Sequence, residues 1–133
     1  MARHSHGMDP MTFVTSVHCM DGRVQEPIIT FLRDRYNVSY VDCITEVSPC
    51  RILSDESNEK SIKLILNKIA ISLHHHHSKL IALSGHHDCA GNQSDRAQQI
   101  EQIHKGKHML NEHYPEVDII CLWVNQDWHI EVV

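Results

Sequence analysis

Cys19, His86 and Cys89 are the side chains of this sequence whose chemistry and spacing best suit a metal ion. Zinc takes thiolate and imidazole ligands, usually four in a tetrahedron, and a catalytic site keeps one position open or exchangeable. Cys89 lies three residues after His86, a separation that lets one tight turn direct both at a single ion. Cys19 comes from a far earlier segment, Cys19-Met20-Asp21-Gly22-Arg23. That segment carries a second chemistry. Asp21 is a carboxylate, and Arg23 is a rigid two-pronged donor able to hold it in one pose. The plainer alternative is two buried thiols, a capping histidine and a structural ion pair.

The remaining cysteines are Cys43, Cys50 and Cys121. An odd total of five, with no export signal, argues against a disulfide framework and for reduced thiols. Cys43 reads as core and Cys50 as a loop thiol, either one an alternative ligand or redox thiol. Cys121, inside an apolar run, reads as packing. The run His74-His75-His76-His77 ends a helix, where imidazolium interacts well with the negative end of the dipole. It also has the composition of an adventitious metal site. His87 points away from His86 and is a candidate proton shuttle.

These residues need elements to place them. Thr12 to His18 is rich in β-branched residues and reads as a first strand. Pro27 marks the expected start of a helix carrying Ile28, Phe31, Leu32 and Tyr36, with Asn37 as its stop. Val38 to Ile44 is the second strand, and Thr45 to Asn58 a long loop. A helix from about Ser57 puts Ile62, Ile65, Leu66, Ile69 and Leu73 on one face. Leu80 to Leu83 is a short, fully apolar third strand that runs into Ser84-Gly85-His86-His87-Asp88-Cys89. A third helix from Ser94 turns Ala97, Ile100, Ile103 and Leu110 inward, although Gly106 weakens it. Val117 to Val124 and Trp128 to Val133 close the chain as a strand and an antiparallel edge strand.

The order β-α-β-α-β-α-β-β predicts an α/β fold: a mostly parallel sheet of about five strands, helices on both faces, the last strand antiparallel. Ligands of such sheets sit beyond the carboxyl ends of the strands. Cys19 follows strand one and His86 follows strand three, so both fall at that edge.

At 133 residues the chain fits one domain, spanning 12–133 behind a leader of residues 1–11 that is unstructured or an expression artefact. A formal net charge of -5 without a basic run argues against nucleic acid. The apolar stretches are too short and interrupted to cross a bilayer, and no secretory h-region is present, so a cytoplasmic location is expected.

Cys19-Met20-Asp21-Gly22-Arg23 resembles the C-x-D-x-R motif of the β-class carbonic anhydrases, and Gly85-His86-His87-Asp88-Cys89-Ala90-Gly91 resembles their G-H-x-D-C-G segment. The likeness covers roughly Thr12 to Gly91. It implies a zinc protein that reversibly hydrates carbon dioxide to bicarbonate by a zinc-bound hydroxide, with Cys19, His86 and Cys89 as ligands. Asp21 and Arg23 are then the dyad beside the metal. Asp21 orients the hydroxide, or becomes a fourth ligand in a closed form if Arg23 lets go. A homodimer or higher homo-oligomer is also implied. The chain departs from the family in three places. Ile44 to Cys50 replaces an Arg-Asn-Ala-Gly segment that lines the substrate pocket; there is no room for the N-terminal helical arm; and a single helix separates Cys89 from the fourth strand. Two further readings follow: hydrolysis of a carbon dioxide analogue such as carbonyl sulfide, or a non-catalytic, zinc-stabilised binding or regulatory protein.

Overall fold

A computed structural model describes residues 11–133. Its elements are β1 (Phe13–Cys19), α1 (Gly22–Tyr36), β2 (Tyr40–Glu46), α2 (Pro49–Leu53), α3 (Glu59–His75), β3 (Leu80–His86), α4 (Arg96–His113), β4 (Asp118–Val124) and β5 (Ile130–Val132). The strands form one sheet in the order β2-β1-β3-β4-β5. The first four are parallel, and β5 runs antiparallel to β4. This is the expected α/β architecture. The expected leader lies outside the described residues except for Met11, which packs partly buried against the core beneath α1.

Side-chain alternation along the strands builds two cores. Val14, Ala82, Leu122 and Val124 face α1 and meet its Val24, Ile28 and Leu32. Val17, Ile81, Leu83 and Trp123 face the other way, toward Leu53 of α2, Ile65 and Ile69 of α3, and Ile103 and Leu110 of α4. Every residue of β3 is buried, which is why its sequence up to His86 is a run of apolar and small residues rather than an alternation.

Four local expectations are corrected. α1 starts at Gly22, not at Pro27, because the Asp21 side chain caps it by accepting the Arg23 N–H at 2.9 Å. Pro27 lies inside the helix, where its missing N–H forgoes a single bond to the carbonyl of exposed Arg23. The stretch expected to be loop contains α2, started by Pro49 after Ser48 in a left-handed conformation (φ 51°). The roles of Cys43 and Cys50 are exchanged: Cys50 is buried on α2, and Cys43 is exposed on the edge strand β2. On α4, Ala97 is exposed and Ile100 only half-buried; the buried stripe is Gln99, Ile103, Gly106 and Leu110.

Gly106 has a packing reason. A Cβ there would lie 2.8 Å from Leu83 Cδ2 and 3.3 Å from Leu53 Cβ, so the helix approaches the sheet where it has no side chain. Of the histidine run, His74 and His75 occupy the last turn of α3. His76 contacts the Asp42 carboxylate at 2.7 Å and stacks on the Phe13 ring. Among the described residues no helix is long and apolar enough to cross a membrane.

Candidate metal centre

β1 and β3 are neighbours, although β2 and three helices lie between them in sequence. The chain leaves β1 toward one side of the sheet and returns across it to start β3 on the other. Such a reversal opens a crevice at the carboxyl ends of the two strands. Their ladder stops at Val17 against Leu83, short of both Cys19 and His86. The two ligand-bearing strand ends therefore flank the crevice, and the turn after β3 brings Cys89 into it.

The ligand atoms of Cys19, His86 and Cys89 all lie within 4.8 Å of one another, and all three residues are buried. The Cys19 and Cys89 sulfurs are 3.9 Å apart. Two thiolates on one tetrahedral zinc, with bonds of about 2.3 Å, stand about 3.8 Å apart, so the pair already has the spacing a shared zinc demands. Burial pushes the Cys89 thiol above its ordinary value. A thiolate here is disfavoured without a cation beside it, which couples metal binding to proton release.

His86 supplies the sharpest test of fit. Its Nδ1 donates to the His87 carbonyl at 2.8 Å, which leaves the lone pair on Nε2. That Nε2 is buried and has no hydrogen-bond partner among the described residues. A buried acceptor left unpaired is costly, and a metal ion is what this donor set would satisfy. Burial also lowers the affinity of the ring for protons, against the hydrogen bond to the His87 carbonyl and the Asp21 charge, which raise it. The ring is thus kept neutral, as a ligand must be.

Two polar side chains, Gln99 and Gln25, hold the backbone of these ligands. Gln99, buried on α4, accepts the His86 N–H at 3.3 Å and donates to its carbonyl at 3.1 Å. Gln25 donates to the carbonyls of Cys19 (2.9 Å) and Asp21 (2.8 Å). With both amide protons so used, its oxygen accepts from His18 Nε2 at 2.8 Å, and His18 Nδ1 accepts from the Ser16 hydroxyl at 2.7 Å. Burial lowers the His18 pKa and keeps this relay neutral.

Arg23 grips Asp21 at two points, Nε to Oδ1 at 3.1 Å and a terminal nitrogen to Oδ2 at 2.7 Å. The hydrogen bonds from Arg23 hold the Asp21 carboxyl down at about 2. The same guanidinium bonds the Asp88 carboxylate (3.1 Å) and carbonyl (3.0 Å) and lies 4.5 Å from the centre of the Trp128 ring. Asp21 is thus committed to Arg23 and is not among the grouped ligand atoms.

The segment that departs from the resemblance is bolted to the ligand loop. Asn92 donates to Ser48 Oγ at 2.9 Å, and Arg51 donates to the Gly91 carbonyl at 3.0 Å. Val47 lies so close over Gly91 that a Cβ there would collide with its Cγ1. Cys50 is not in the ligand group; burial pushes its thiol up to about 11. Cys43 is exposed, and Cys121 is buried in the core. His87 is exposed, edge-on to Trp128.

Sequence reasoning missed Gln25, Asp88, Gln99 and Trp128. Asp88 stood inside the quoted motif and was legible there. A glutamine on the buried stripe of α4 was a second available signal. Nothing local marks Trp128, whose contact with Arg23 exists only in three dimensions.

No curated protein matches the chain by sequence. Among solved structures, β-carbonic anhydrase isoform I of Trichomonas vaginalis superposes with a TM-score of 0.62 at 14% identity, over 92% of this chain and 82% of that one. The carbonic anhydrase of Glaciozyma antarctica gives 0.62 at 15%, over 92% and 82%. Tetrameric β-carbonic anhydrases of Sordaria macrospora give 0.60 at 11%, over 96% and 82%. At these identities the likeness is one of fold. Residues 9–133 match the family described as "Putative carbonic anhydrase". That match spans nearly the whole sequence, and the chain therefore belongs to this carbonic anhydrase family, with a three-ligand Cys-His-Cys site at its sheet edge.

Proposed function

We propose that the protein reversibly hydrates carbon dioxide to bicarbonate with zinc held by Cys19, His86 and Cys89. The observation that carries this is the unpartnered, buried His86 Nε2 beside two thiol sulfurs at zinc spacing. Zinc in such a site acidifies water, making a hydroxide nucleophile available near neutral pH.

The chain's own residues account for the rest. The two thiolates balance the charge of a divalent ion, so this site acidifies water less than an all-histidine one. Asp21, ionised at neutral pH because Arg23 stabilises its charge, can only accept a hydrogen bond. It takes the O–H of the attacking nucleophile and so turns a lone pair toward carbon dioxide. Arg23 keeps the carboxylate in that pose rather than on the metal. His87, exposed beside His86, is placed to pass the released proton to solvent. The free state of all five cysteines suits a reducing, cytoplasmic setting. A homodimer or larger assembly is the expected state; the Sordaria macrospora β-carbonic anhydrases that share this fold are tetrameric.

The altered segment Ile44 to Cys50 favours one second reading, a changed substrate such as carbonyl sulfide. Stopped-flow hydration by zinc-loaded protein between about pH 7 and about pH 9 tests the first. A rate above buffer that Cys89→Ser abolishes is expected. No rate above buffer at any pH contradicts it, and sulfide release from carbonyl sulfide would then identify the second.

A further inference from the structure

Trp128 sits where a side chain is least expected. It lies in the turn between β4 and β5 with φ 61°, a left-handed conformation that favours glycine and costs free energy for a bulky residue. The turn around it is fixed by Asn125. The Asn125 side-chain oxygen accepts the Asp127 and His129 N–H groups, each at 3.0 Å, and the Trp128 N–H donates to the Asn125 carbonyl at 2.9 Å. A hairpin usually spends a glycine at such a position. Here a tryptophan occupies it, and a local rule broken this way calls for a gain elsewhere.

The gain is a contact with Arg23. The indole packs against the core beneath α1 and presents its ring to Arg23, whose guanidinium lies 4.5 Å from the ring centre. An arginine over the face of a tryptophan is held by the ring quadrupole. Arg23 is otherwise an exposed side chain, which would be free to sample many rotamers. Trp128 on one side and Asp88 on another leave it the single pose in which it grips both oxygens of Asp21.

We propose that Trp128 is a positioning residue: its indole, delivered by the strained turn, clamps Arg23 onto Asp21 and thereby keeps the Asp21 carboxylate off the metal. This rests on the metal reading of Cys19, His86 and Cys89. Loss of the ring releases Arg23, Asp21 competes for the fourth coordination position, and exogenous ligands bind there less well.

The test uses the full chain loaded with cobalt, whose visible absorption reports coordination, and azide as the probe of the open position. Trp128→Gly suits the left-handed backbone and so preserves the turn; its melting temperature checks that it folds. It is expected to bind azide about fivefold more weakly, the scale of one exposed cation–π contact. Trp128→Phe retains a ring and is expected to restore most of that loss. In an Asp21→Asn background, which lacks the competing carboxylate, Trp128→Gly is expected to have no effect. In metal-free protein, the NMR signal of the Arg23 Nε–H should move in Trp128→Gly and not in Asp88-distant controls such as Cys43→Ser. Unchanged azide affinity in Trp128→Gly, an equal loss in the Asp21→Asn background, or an unmoved Arg23 signal overturns the proposal alone. Failure of the wild-type protein to bind cobalt overturns the metal reading and the proposal together.

Discussion

Gln99 brackets the main chain of His86, taking its N–H at 3.3 Å and giving a proton to its carbonyl at 3.1 Å. Both residues are only 2% exposed, so no solvent stands ready to replace these bonds. Gln99→Leu keeps the volume and removes the pairing. It should destabilise the fold by about 1–3 kcal/mol through unsatisfied buried groups. It should also weaken zinc about tenfold or more, as loss of an outer partner of a metal ligand does. Thermal melts and competition with a chelator measure the two effects separately.

Gln25 performs the equivalent task for the first ligand, since its amide ties the carbonyls on either side of Met20. Gln25→Glu has nearly the same shape but cannot donate at neutral pH. It should release the Cys19–Asp21 segment and lower zinc affinity, whereas the exposed neighbour Glu26→Gln should leave it unchanged. Calorimetric titration with zinc compares them. Equal affinities would show that the loop holds its shape without Gln25.

Asp21 gives the protein an acid-sensitive element of definite sign. Its folded pKa is about 2, below the ordinary 3.8, chiefly because Arg23 hydrogen-bonds the ionised form. A depressed carboxylate pKa stabilises the fold above the unfolded value and loses that contribution as pH falls through the folded one. Stability should therefore decline between about pH 4 and about pH 2 in the native protein. Arg23→Ala should return the Asp21 pKa toward its ordinary value and flatten this decline. Carboxyl NMR titration reads the pKa, and denaturant melts over the same range read the stability.

Gly106 pits two effects against each other. Alanine in a helix interior is favoured over glycine by about 1 kcal/mol. The new methyl would meet Leu83 Cδ2 at 2.8 Å inside a core where Leu83 is fully buried. Overpacking of that kind costs about 1–3 kcal/mol. The steric cost wins, and Gly106→Ala should lower the melting temperature; a rise would show that α4 can retreat from the sheet.

The parts of the molecule that the sequence discloses are those governed by neighbours in the chain. The short apolar run of Leu80 to Leu83 is what a strand buried on both faces requires, and the His86–Cys89 spacing lies within one turn. Pro27 misleads because a proline rule competes with a cap at Asp21, and the cap wins. A five-residue helix at Pro49–Leu53 is too short to display a helical period. Cys43 and Cys50 exchange burial because alternation alone cannot say that β2 is an edge strand. Trp128 matters through a contact with Arg23 that closes only when distant segments meet, and no local pattern announces it.

The most direct measurement is X-ray absorption of the zinc-loaded protein after exhaustive dialysis. One zinc per chain is predicted, with two sulfur scatterers at about 2.3 Å and one nitrogen at about 2.0 Å. Loss of the metal on dialysis, or a coordination shell containing only oxygen and nitrogen, would contradict the assignment of Cys19, His86 and Cys89.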